Sequence, residues 1–245
     1  MIEVRGLSKK FGQFHAVDDV SFSVPKGQVL GFLGPNGAGK STTMKMLTGF
    51  LEPSSGTALI DNKDIGIDSL EVRKKLGYLP ENAPSYAEMT VCEFLGFIAE
   101  MRHLHGEERT AALNKMKSTC FLESVWHKPI DTLSKGYRQR VGFAQALIHD
   151  PPVLILDEPT DGLDPNQKYE VRQLIKKMGA DKTIILSTHI LEEVEAVCQR
   201  VIIIARGKIV ADATPSELLK EGPLDQVFRK ITLGNDSHGG DKKND

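Results

Sequence analysis

The stretch that decides the fold is residues 34–42, which read GPNGAGKST and follow the strand-like run at 29–33. Helix-forming residues come next, so the local order is strand, glycine-rich turn and helix. Three glycines in the turn permit backbone angles that direct successive N–H groups at phosphate oxygens. The helix offers its unpaired N–H groups and the positive end of its dipole to the same anion. The spacing GxxxxGK[ST] therefore predicts a loop that binds a nucleoside triphosphate.

Two side chains of this loop have roles that follow from their chemistry. Lys40 can reach the β- and γ-phosphates as a point charge, and the Ser41 hydroxyl can ligate Mg²⁺. The residues expected to bind the nucleotide are Gly34, Pro35, Asn36, Gly37, Ala38, Gly39, Lys40, Ser41 and Thr42.

Composition limits the class of protein. The 245 residues suit one large domain, and 31 basic against 33 acidic residues give no field that favours nucleic acid. Three widely separated cysteines without a CxxC pattern indicate free thiols in a reducing cytoplasm. The chain shows no secretory leader, and its apolar runs are too short to span a bilayer. We therefore expect a cytoplasmic chain with no direct membrane insertion, whose membrane role, if any, comes through a partner.

The pattern along the chain predicts a β-rich section around the phosphate loop, with strands at 2–7, 20–24, 29–33 and 58–60. From Thr90, which begins a capping-box pattern, apolar residues recur at helical spacing, so we expect a helical insert. Within that insert Phe94, Phe97 and Ile98 are either core residues or a docking face for another protein.

Alternating helices and strands follow residue 150, starting with the apolar run at 153–156 that is typical of a strand buried on both faces. Asp157 and Glu158 end this run. An acid at the carboxyl end of such a strand can hold Mg²⁺, and its neighbour can act as general base towards a water. The tail at 234–245 has little apolar content, and we expect it to be disordered.

Four further motifs resemble those of the ATP-binding subunits of ABC transporters, over residues 1 to about 233. LSKGYRQR at 133–140 is similar to the family signature, DEPTDGLDP at 157–165 to the Walker B and D-loop run, STHILEE at 187–193 to the H-loop, and GYLPE at 77–81 to the Q-loop. The resemblance implies a P-loop α/β fold of the ABC ATPase type. A mixed sheet core would carry an N-terminal antiparallel section and a helical subdomain inserted at about 84–150.

Among subgroups, these motifs look most like those of ABC-2-type exporters. The gliding-motility-associated ATP-binding subunit is the relative they resemble most, and the subunit that accompanies copper-site maturation of nitrous oxide reductase is another candidate. The direction of transport rests on this subgroup likeness alone, and the transported substance cannot be read from this chain.

The resemblance assigns a role to each matching position. Phe11 would stack on adenine, Asp157 and Ser41 would hold Mg²⁺, Glu158 would be the general base, and His189 would contact the γ-phosphate. The residues expected to act on ATP bound by a second subunit, from the signature and the D-loop, are Ser134, Lys135, Gly136 and Asp164. Since one chain carries one phosphate loop, the resemblance implies an ATP-sandwiched head-to-tail dimer of two ATP-binding subunits, with a separate integral membrane permease as partner.

Two positions depart from the family pattern. Glu81 stands where Gln is usual; its carboxylate can still accept from a Mg²⁺-bound water, so we keep it among the metal residues. Lys135 and Tyr137 replace a Gly and a Gln of the signature. Lys135 either adds a cationic contact near the partner's nucleotide or is a solvated lysine.

Three functions are compatible with these motifs. The first is an ATP-hydrolysing subunit that energises a membrane transporter. The second is a non-transport ABC ATPase acting on a cofactor-assembly scaffold, a ribosome or a DNA-repair complex. The third is a catalytically idle regulatory subunit, against which stands the presence of Lys40, Asp157, Glu158 and His189.

Overall fold

The computed structural model describes residues 1–233; the expected disorder of residues 234–245 lies outside them. Its strands are β1 (Ile2–Phe11), β2 (Phe14–Val24), β3 (Val29–Leu33), β4 (Ser55–Ile60), β5 (Lys63–Asp64), β6 (Leu76–Leu79), β7 (Val153–Asp157), β8 (Thr183–Thr188), β9 (Arg200–Ala205) and β10 (Lys208–Ala213). Its α-helices are α1 (Lys40–Leu47), α2 (Ser69–Lys74), α3 (Val91–Met101), α4 (Gly106–Thr119), α5 (Lys135–Leu147), α6 (Pro165–Gly179), α7 (Leu191–Val197), α8 (Pro215–Lys220) and α9 (Leu224–Leu233).

The strands form two sheets. One is a small antiparallel sheet in the order β2-β1-β4-β5, and the other is a six-stranded sheet in the order β10-β9-β3-β8-β7-β6. In the larger sheet every pairing is parallel except that of β10 with β9. This mixed core with an antiparallel N-terminal section confirms the predicted fold class.

The central strands are buried on both faces, and their side chains alternate between two cores. In β7, Leu154 and Leu156 belong to the core shared with the helices, whereas Val153 and Ile155 belong to the core shared with α1 and the antiparallel sheet. The two-residue period of a strand produces this alternation. The larger sheet is therefore the middle of three layers, and its position is fixed by apolar packing on both sides.

The helical stretch predicted after Thr90 is confirmed. The Thr90 side chain accepts a hydrogen bond from the Glu93 N–H, and the Glu93 carboxylate accepts one from the Thr90 N–H, which completes the capping box at the start of α3. Phe94 is 2% exposed, so of the two interpretations, core residue or docking face, it is a core residue. Phe97 and Ile98 on the same helix are half-buried.

Several predicted bounds were wrong by a few residues, because ends depend on tertiary contacts. β1 continues to Phe11 and β2 already begins at Phe14. The two strands form a hairpin in which Phe11 pairs with Phe14. Short elements α2, β5 and α8 were missed, since few residues in each are buried and their pattern is weak. The domain bounds, including the insert at 84–150, stay predictions.

Among residues 1–233, no helix has both the length and the apolar content needed to cross a bilayer.

Candidate functional site

A cleft lies at the carboxyl edge of the parallel strands. The loops that follow β3, β6, β7 and β8 leave the sheet at this edge, as is usual for ligand sites of open α/β sheets. The cleft has a volume of about 600 Å³. Its lining residues are Phe11, Phe14, Ala16, Asn36, Gly37, Gly39, Lys40, Ser41, Thr42, Glu81, Glu158, Asp161 and His189.

The phosphate-binding loop occupies the floor of this cleft. Gly39 caps α1 with φ 107° and Gly37 has φ 79°, both in the left-handed region that side chains with a Cβ resist. A Cβ on Gly34 would lie 2.4 Å from the Ile204 carbonyl oxygen, so glycine is required there for packing. The glycines of the motif thus form a cradle of backbone N–H groups that ends at a helix N-terminus, a geometry that suits a phosphate.

Lys40 extends back across this loop and is 5% exposed. Its ammonium donates to the Gly34 carbonyl at 2.8 Å and lies 3.4 Å from Glu158 Oε1. A buried ammonium needs such partners to offset its loss of hydration. This ion pair joins the loop after β3 to the acid after β7.

Asp157 is 1% exposed at the end of β7. Its Oδ1 accepts from the Ser41 hydroxyl at 3.2 Å and from the Ser187 hydroxyl of β8. Burial raises the pKa of Asp157, while the two hydroxyl donors act in the opposite direction and Glu158 adds to the rise. Asp157 and Ser41, which were predicted to share a metal ion, are therefore in direct contact.

Glu158 and His189 lie in contact at one end of the cleft. The Glu158 backbone has φ 50° and its N–H donates to the Ser187 carbonyl at 3.1 Å, which turns the side chain away from the strand. Glu158 Oε2 lies 3.0 Å from His189 Nδ1. The carboxylate thus bridges Lys40 and His189 through its two oxygens, an arrangement that suits a base with an orienting partner.

Two aromatic rings border the mouth of the cleft. Phe11 and Phe14 are 51% and 62% exposed at the tip of the β1–β2 hairpin, and the Lys9 ammonium lies 5.5 Å from the centre of the Phe11 ring. The sequence prediction named Phe11 and missed Phe14. An exposed aromatic three residues later, on the far side of a Gly-Gln turn, was the available signal. Glu81, which is exposed and follows β6, also lines the cleft.

The signature residues do not line this cleft. Ser134 caps α5 by accepting from the Tyr137 N–H at 3.4 Å, and Asp164 caps α6 by accepting from two N–H groups at 3.0 Å. Lys135 pairs with Asp161 at 2.7 Å and lies over Gly162, where a Cβ would be 2.1 Å from its ammonium. A Cβ on Gly136 would lie 2.3 Å from Gln167 Oε1, so α5 and α6 meet closely here.

Sequence reasoning missed three further residues of the site. Ser187 holds both Asp157 and the Glu158 N–H, Asp161 lines the cleft, and the buried Gln139 donates to the Pro159 carbonyl at 3.0 Å. Ser187 belongs to the H-loop motif and Gln139 to the signature, so both were in recognised segments. Their partners lie 30 and 20 residues away, a distance over which spacing gives no signal.

The donor set suits Mg²⁺ held together with a triphosphate. Mg²⁺ takes hard oxygen ligands, keeps several waters and is usually held by one or two protein groups plus substrate phosphates. Among the described residues, no three His, Cys, Asp or Glu side chains gather to hold a metal by themselves. The contact between Ser41 and Asp157 beside the loop provides the smaller set that such an ion requires.

This fold and cleft define a nucleotide-binding domain of the P-loop class. A family profile described as "ABC transporter" matches residues 17–161, and a second, described as "AAA domain, putative AbiEii toxin, Type IV TA system", matches residues 128–195. The chain belongs to the family of ABC transporter ATP-binding proteins, for which P-loop ATPase activity is expected.

Two curated relatives illustrate the likeness. The chain is 39% identical over 227 residues to the probable multidrug ABC transporter ATP-binding protein YbhF of Escherichia coli, covering 92% of this chain but 39% of that protein's length. It is 35% identical over 236 residues to the linearmycin resistance ATP-binding protein LnrL of Bacillus subtilis, covering 96% of this chain and 76% of LnrL.

Solved structures agree with the family. An ATP-binding subunit of an ABC transporter superposes with a TM-score of 0.86 at 30% identity, over 94% of this chain and 99% of that one. The ATP-binding cassette MJ0796, in a dimeric post-hydrolysis state bound to ADP and Pi, gives 0.81 at 26% identity, over 88% and 99%. CbiO1 of Clostridium perfringens, described as part of the ABC transporter complex cbiONQ, gives 0.80 at 31% identity, over 95% and 94%.

Proposed function

We propose that this chain hydrolyses ATP as a subunit of an ABC transporter, and that it works as a dimer whose two sites are each completed by the opposite subunit. The observation that carries the proposal is the chain of contacts from Lys40 through Glu158 to His189: 3.4 Å from Lys40 Nζ to Glu158 Oε1, and 3.0 Å from Glu158 Oε2 to His189 Nδ1. It brings a phosphate-binding cation, a carboxylate base and an orienting imidazole to one edge of the cleft.

In this proposal the loop N–H groups and Lys40 bind the phosphates of ATP, and Phe11 or Phe14 covers the adenine. Glu158 takes a proton from the attacking water at Oε1 or Oε2, while His189 holds that carboxylate through Nδ1 and orients the water towards the γ-phosphate. Positioning and charge stabilisation provide most of the catalysis in phosphoryl transfer, which suits a site made of fixed donors.

Ser41 and Asp157 would hold Mg²⁺ together with the phosphates of ATP, and Glu81 would accept a hydrogen bond from a water on the ion. When bound it supplies charge neutralisation at the β- and γ-phosphate oxygens. The hydrogen bonds from Ser41 and Ser187 hold the Asp157 carboxylate beside the phosphate-binding loop.

The partner subunit supplies the rest of the site in this proposal. Ser134, Lys135 and Gly136 start α5 outside their own chain's cleft, and Ser134 and Lys135 are exposed. The N–H groups at this helix start can face the γ-phosphate on a second subunit, and the cassette MJ0796, a dimer bound to ADP and Pi, supports dimerisation. ATP then bridges the subunits, hydrolysis removes the bridge, and nucleotide state becomes dimer geometry.

A separate membrane permease would dock on an apolar patch, defined here as Tyr86, Phe97 and Met101. Tyr86 meets Phe97 edge-on with ring centres 5.7 Å apart, and Phe97 and Met101 share one face of α3. Tyr86 and Met101 are exposed, as a docking surface requires. We assign the transporter to the ABC-2 exporter group on the signature and Walker B sequences, and the multidrug and resistance names of two relatives favour this assignment.

The test is to purify tagged protein from detergent-solubilised membranes of its native cell and identify what accompanies it. We expect a stoichiometric polytopic membrane protein that is lost when Phe97 is replaced by Glu. The matched control is Phe50→Glu, since Phe50 is an exposed phenylalanine outside the patch. Recovery with ribosomal, repair or assembly proteins instead would overturn the transporter assignment and leave a non-transport ATPase.

A further inference from the structure

The segment that carries His189 is held from behind by a buried carboxyl group. Glu193 lies in the first turn of α7 and is 1% exposed. A carboxyl group is costly to bury without partners, and its position four residues after His189 places it beneath the turn that the histidine occupies.

Hydrogen bonds connect this carboxyl group to both neighbours of His189. The Thr188 hydroxyl donates to Glu193 Oε2 at 2.7 Å, and the same hydroxyl accepts from the Ile190 N–H at 3.0 Å. The Glu193 N–H donates to the Ile190 carbonyl at 3.2 Å. Residues 188 and 190 are therefore fixed relative to α7, and His189 lies between them.

The imidazole itself has no such support within the described residues. Its side chain is 43% exposed, and its one hydrogen bond is that of Nδ1 with Glu158 Oε2 at 3.0 Å. A half-exposed ring keeps a fixed direction only if its backbone is fixed, so the geometry of the base depends on the network behind it.

A second helix meets the network at Glu193. Burial raises the pKa of Glu193, while the Thr188 hydrogen bond and the charge of Arg172 act in the opposite direction. Arg172 belongs to α6, the helix that Asp164 caps, and both Arg172 Nε and Glu193 Oε1 are buried without a hydrogen-bond partner. The network thus lies where α6, from the D-loop, packs against α7, from the H-loop.

We propose that Glu193 is a positioning residue for ATP hydrolysis: through Thr188 it holds His189 in line with Glu158. This inference rests on the proposed ATPase activity and deepens it. Its effect belongs to the chemical step, because Glu193 and Thr188 line no part of the cleft where the nucleotide is bound.

The experiment compares kcat and KM for ATP in the full chain and in six variants, one of them the double variant Glu193→Ala with Thr188→Val. Glu193→Ala and Thr188→Val remove the network, whereas Glu193→Gln and Thr188→Ser retain an acceptor and a hydroxyl. Glu195→Ala is the matched control, because Glu195 is an exposed glutamate on the same helix. A fluorescent ATP analogue measures binding separately, and thermal unfolding checks that each variant folds.

We expect Glu193→Ala and Thr188→Val each to lower kcat by about 10- to 100-fold with little change in KM or analogue binding, the loss that misplacement of a catalytic group produces. The conservative pair should stay within about 3-fold of the wild type, and the double variant should lose little more than either single one, since both act through one contact. Wild-type kcat in Glu193→Ala, or equal losses in Glu193→Gln and Glu193→Ala with unchanged folding, overturns the inference. An inactive wild type overturns the proposed function instead.

Discussion

The phosphate-binding loop and the signature segment (residues 133–140) both lead into a helix, yet their side chains are used differently. Lys40 at the start of α1 is buried and reaches Glu158, 118 positions along the chain, at 3.4 Å. Ser134 and Lys135 at the start of α5 are exposed and contact groups within their own segment or Asp161. One helix start is thus satisfied inside the chain, and the other is suited to a ligand that another subunit brings.

The largest effect should come from the site that the phosphate-binding loop forms with Glu158 within one chain. Replacing Glu158 by Gln keeps the side-chain shape but removes the base, so we expect kcat to fall by about 100- to 10,000-fold, the usual contribution of a general base. ATP binding should persist and an ATP-bound dimer should accumulate, visible by size-exclusion chromatography with light scattering. Glu195→Gln, at an exposed glutamate of α7, is the control, and turnover at the wild-type rate in Glu158→Gln would refute the base assignment.

The contact of the signature segment with a partner can be disrupted without unfolding α5. Ser134→Asp keeps an N-cap side chain but places a carboxylate where the partner's phosphates are expected. We expect ATP-driven dimerisation to weaken by about 10- to 100-fold, the scale of a few kcal/mol for like charges placed together at an interface.

Mixing variants sharpens this test. A chain with Ser134→Asp retains Lys40, and a chain with Lys40→Ala retains Ser134, so a head-to-tail mixed dimer contains one intact site. Activity should reappear when the two inactive proteins are combined. A mixture that stays inactive although mixed dimers form would show that each chain completes its own site.

The burial of Asp157 should also make the free energy of unfolding depend on pH. The folded pKa of Asp157 lies above its unfolded value of about 3.9, so the folded chain binds more protons in the interval between the two. Stability without nucleotide therefore falls as pH rises through that interval. Asp157→Asn should remove this dependence and raise Tm at neutral pH by about 2–4 °C, corresponding to roughly 1 kcal/mol for a chain of this size.

An acid with the opposite shift serves as the control for Asp157. The pKa of Glu217 is lowered by hydrogen bonds from Thr214, so its contribution is present at neutral pH and is lost as pH falls through the folded value. Glu217→Gln should lower Tm at neutral pH rather than raise it. Parallel calorimetric scans of both variants between acid and neutral pH distinguish the two signs, and a fall in Tm for Asp157→Asn contradicts the burial argument.

The aromatic border of the cleft should give a smaller effect on binding alone. Stacking of one ring contributes about 0.5–1.5 kcal/mol, so Phe11→Ala should raise KM for ATP by about 2- to 10-fold and leave kcat unchanged. Phe14→Ala on the same hairpin is the matched comparison. A larger effect from Phe14 would transfer the adenine contact to that ring, and no effect from either would remove the hairpin from the binding site.

The smallest effect concerns Lys135, whose ammonium pairs with Asp161. If it turns to the partner's nucleotide it gives up that pair, and exposed pairs contribute only about 0.2–1 kcal/mol. Lys135→Gly should therefore weaken ATP-driven dimerisation by less than about 5-fold, with a shallower dependence on salt. Titrating dimer formation against NaCl measures both, and an unchanged salt dependence would leave Lys135 as a solvated lysine.

Local signals account for what the sequence predicted. The glycine spacing of residues 34–42, the apolar run before Asp157 and the capping box at Thr90 each act within a few residues, and all three have the predicted local structure. Contacts across the chain were beyond such signals: Ser187 with Asp157, and Lys135 with Asp161. Phe94 is an intermediate case. The spacing of apolar residues predicted its helix, but tertiary packing decides whether the side chain faces the core or the surface.

The groups that line the cleft lie at or after the carboxyl ends of β3, β6, β7 and β8, or border that edge from the hairpin. The sheet therefore divides the molecule into a reactive edge and an inert one. Substitutions and insertions in exposed turns at the inert edge should be tolerated in a mutational scan far better than those at the reactive edge. Tags, reporters and crosslinkers can be placed there, and variation among relatives can accumulate there at little cost to hydrolysis.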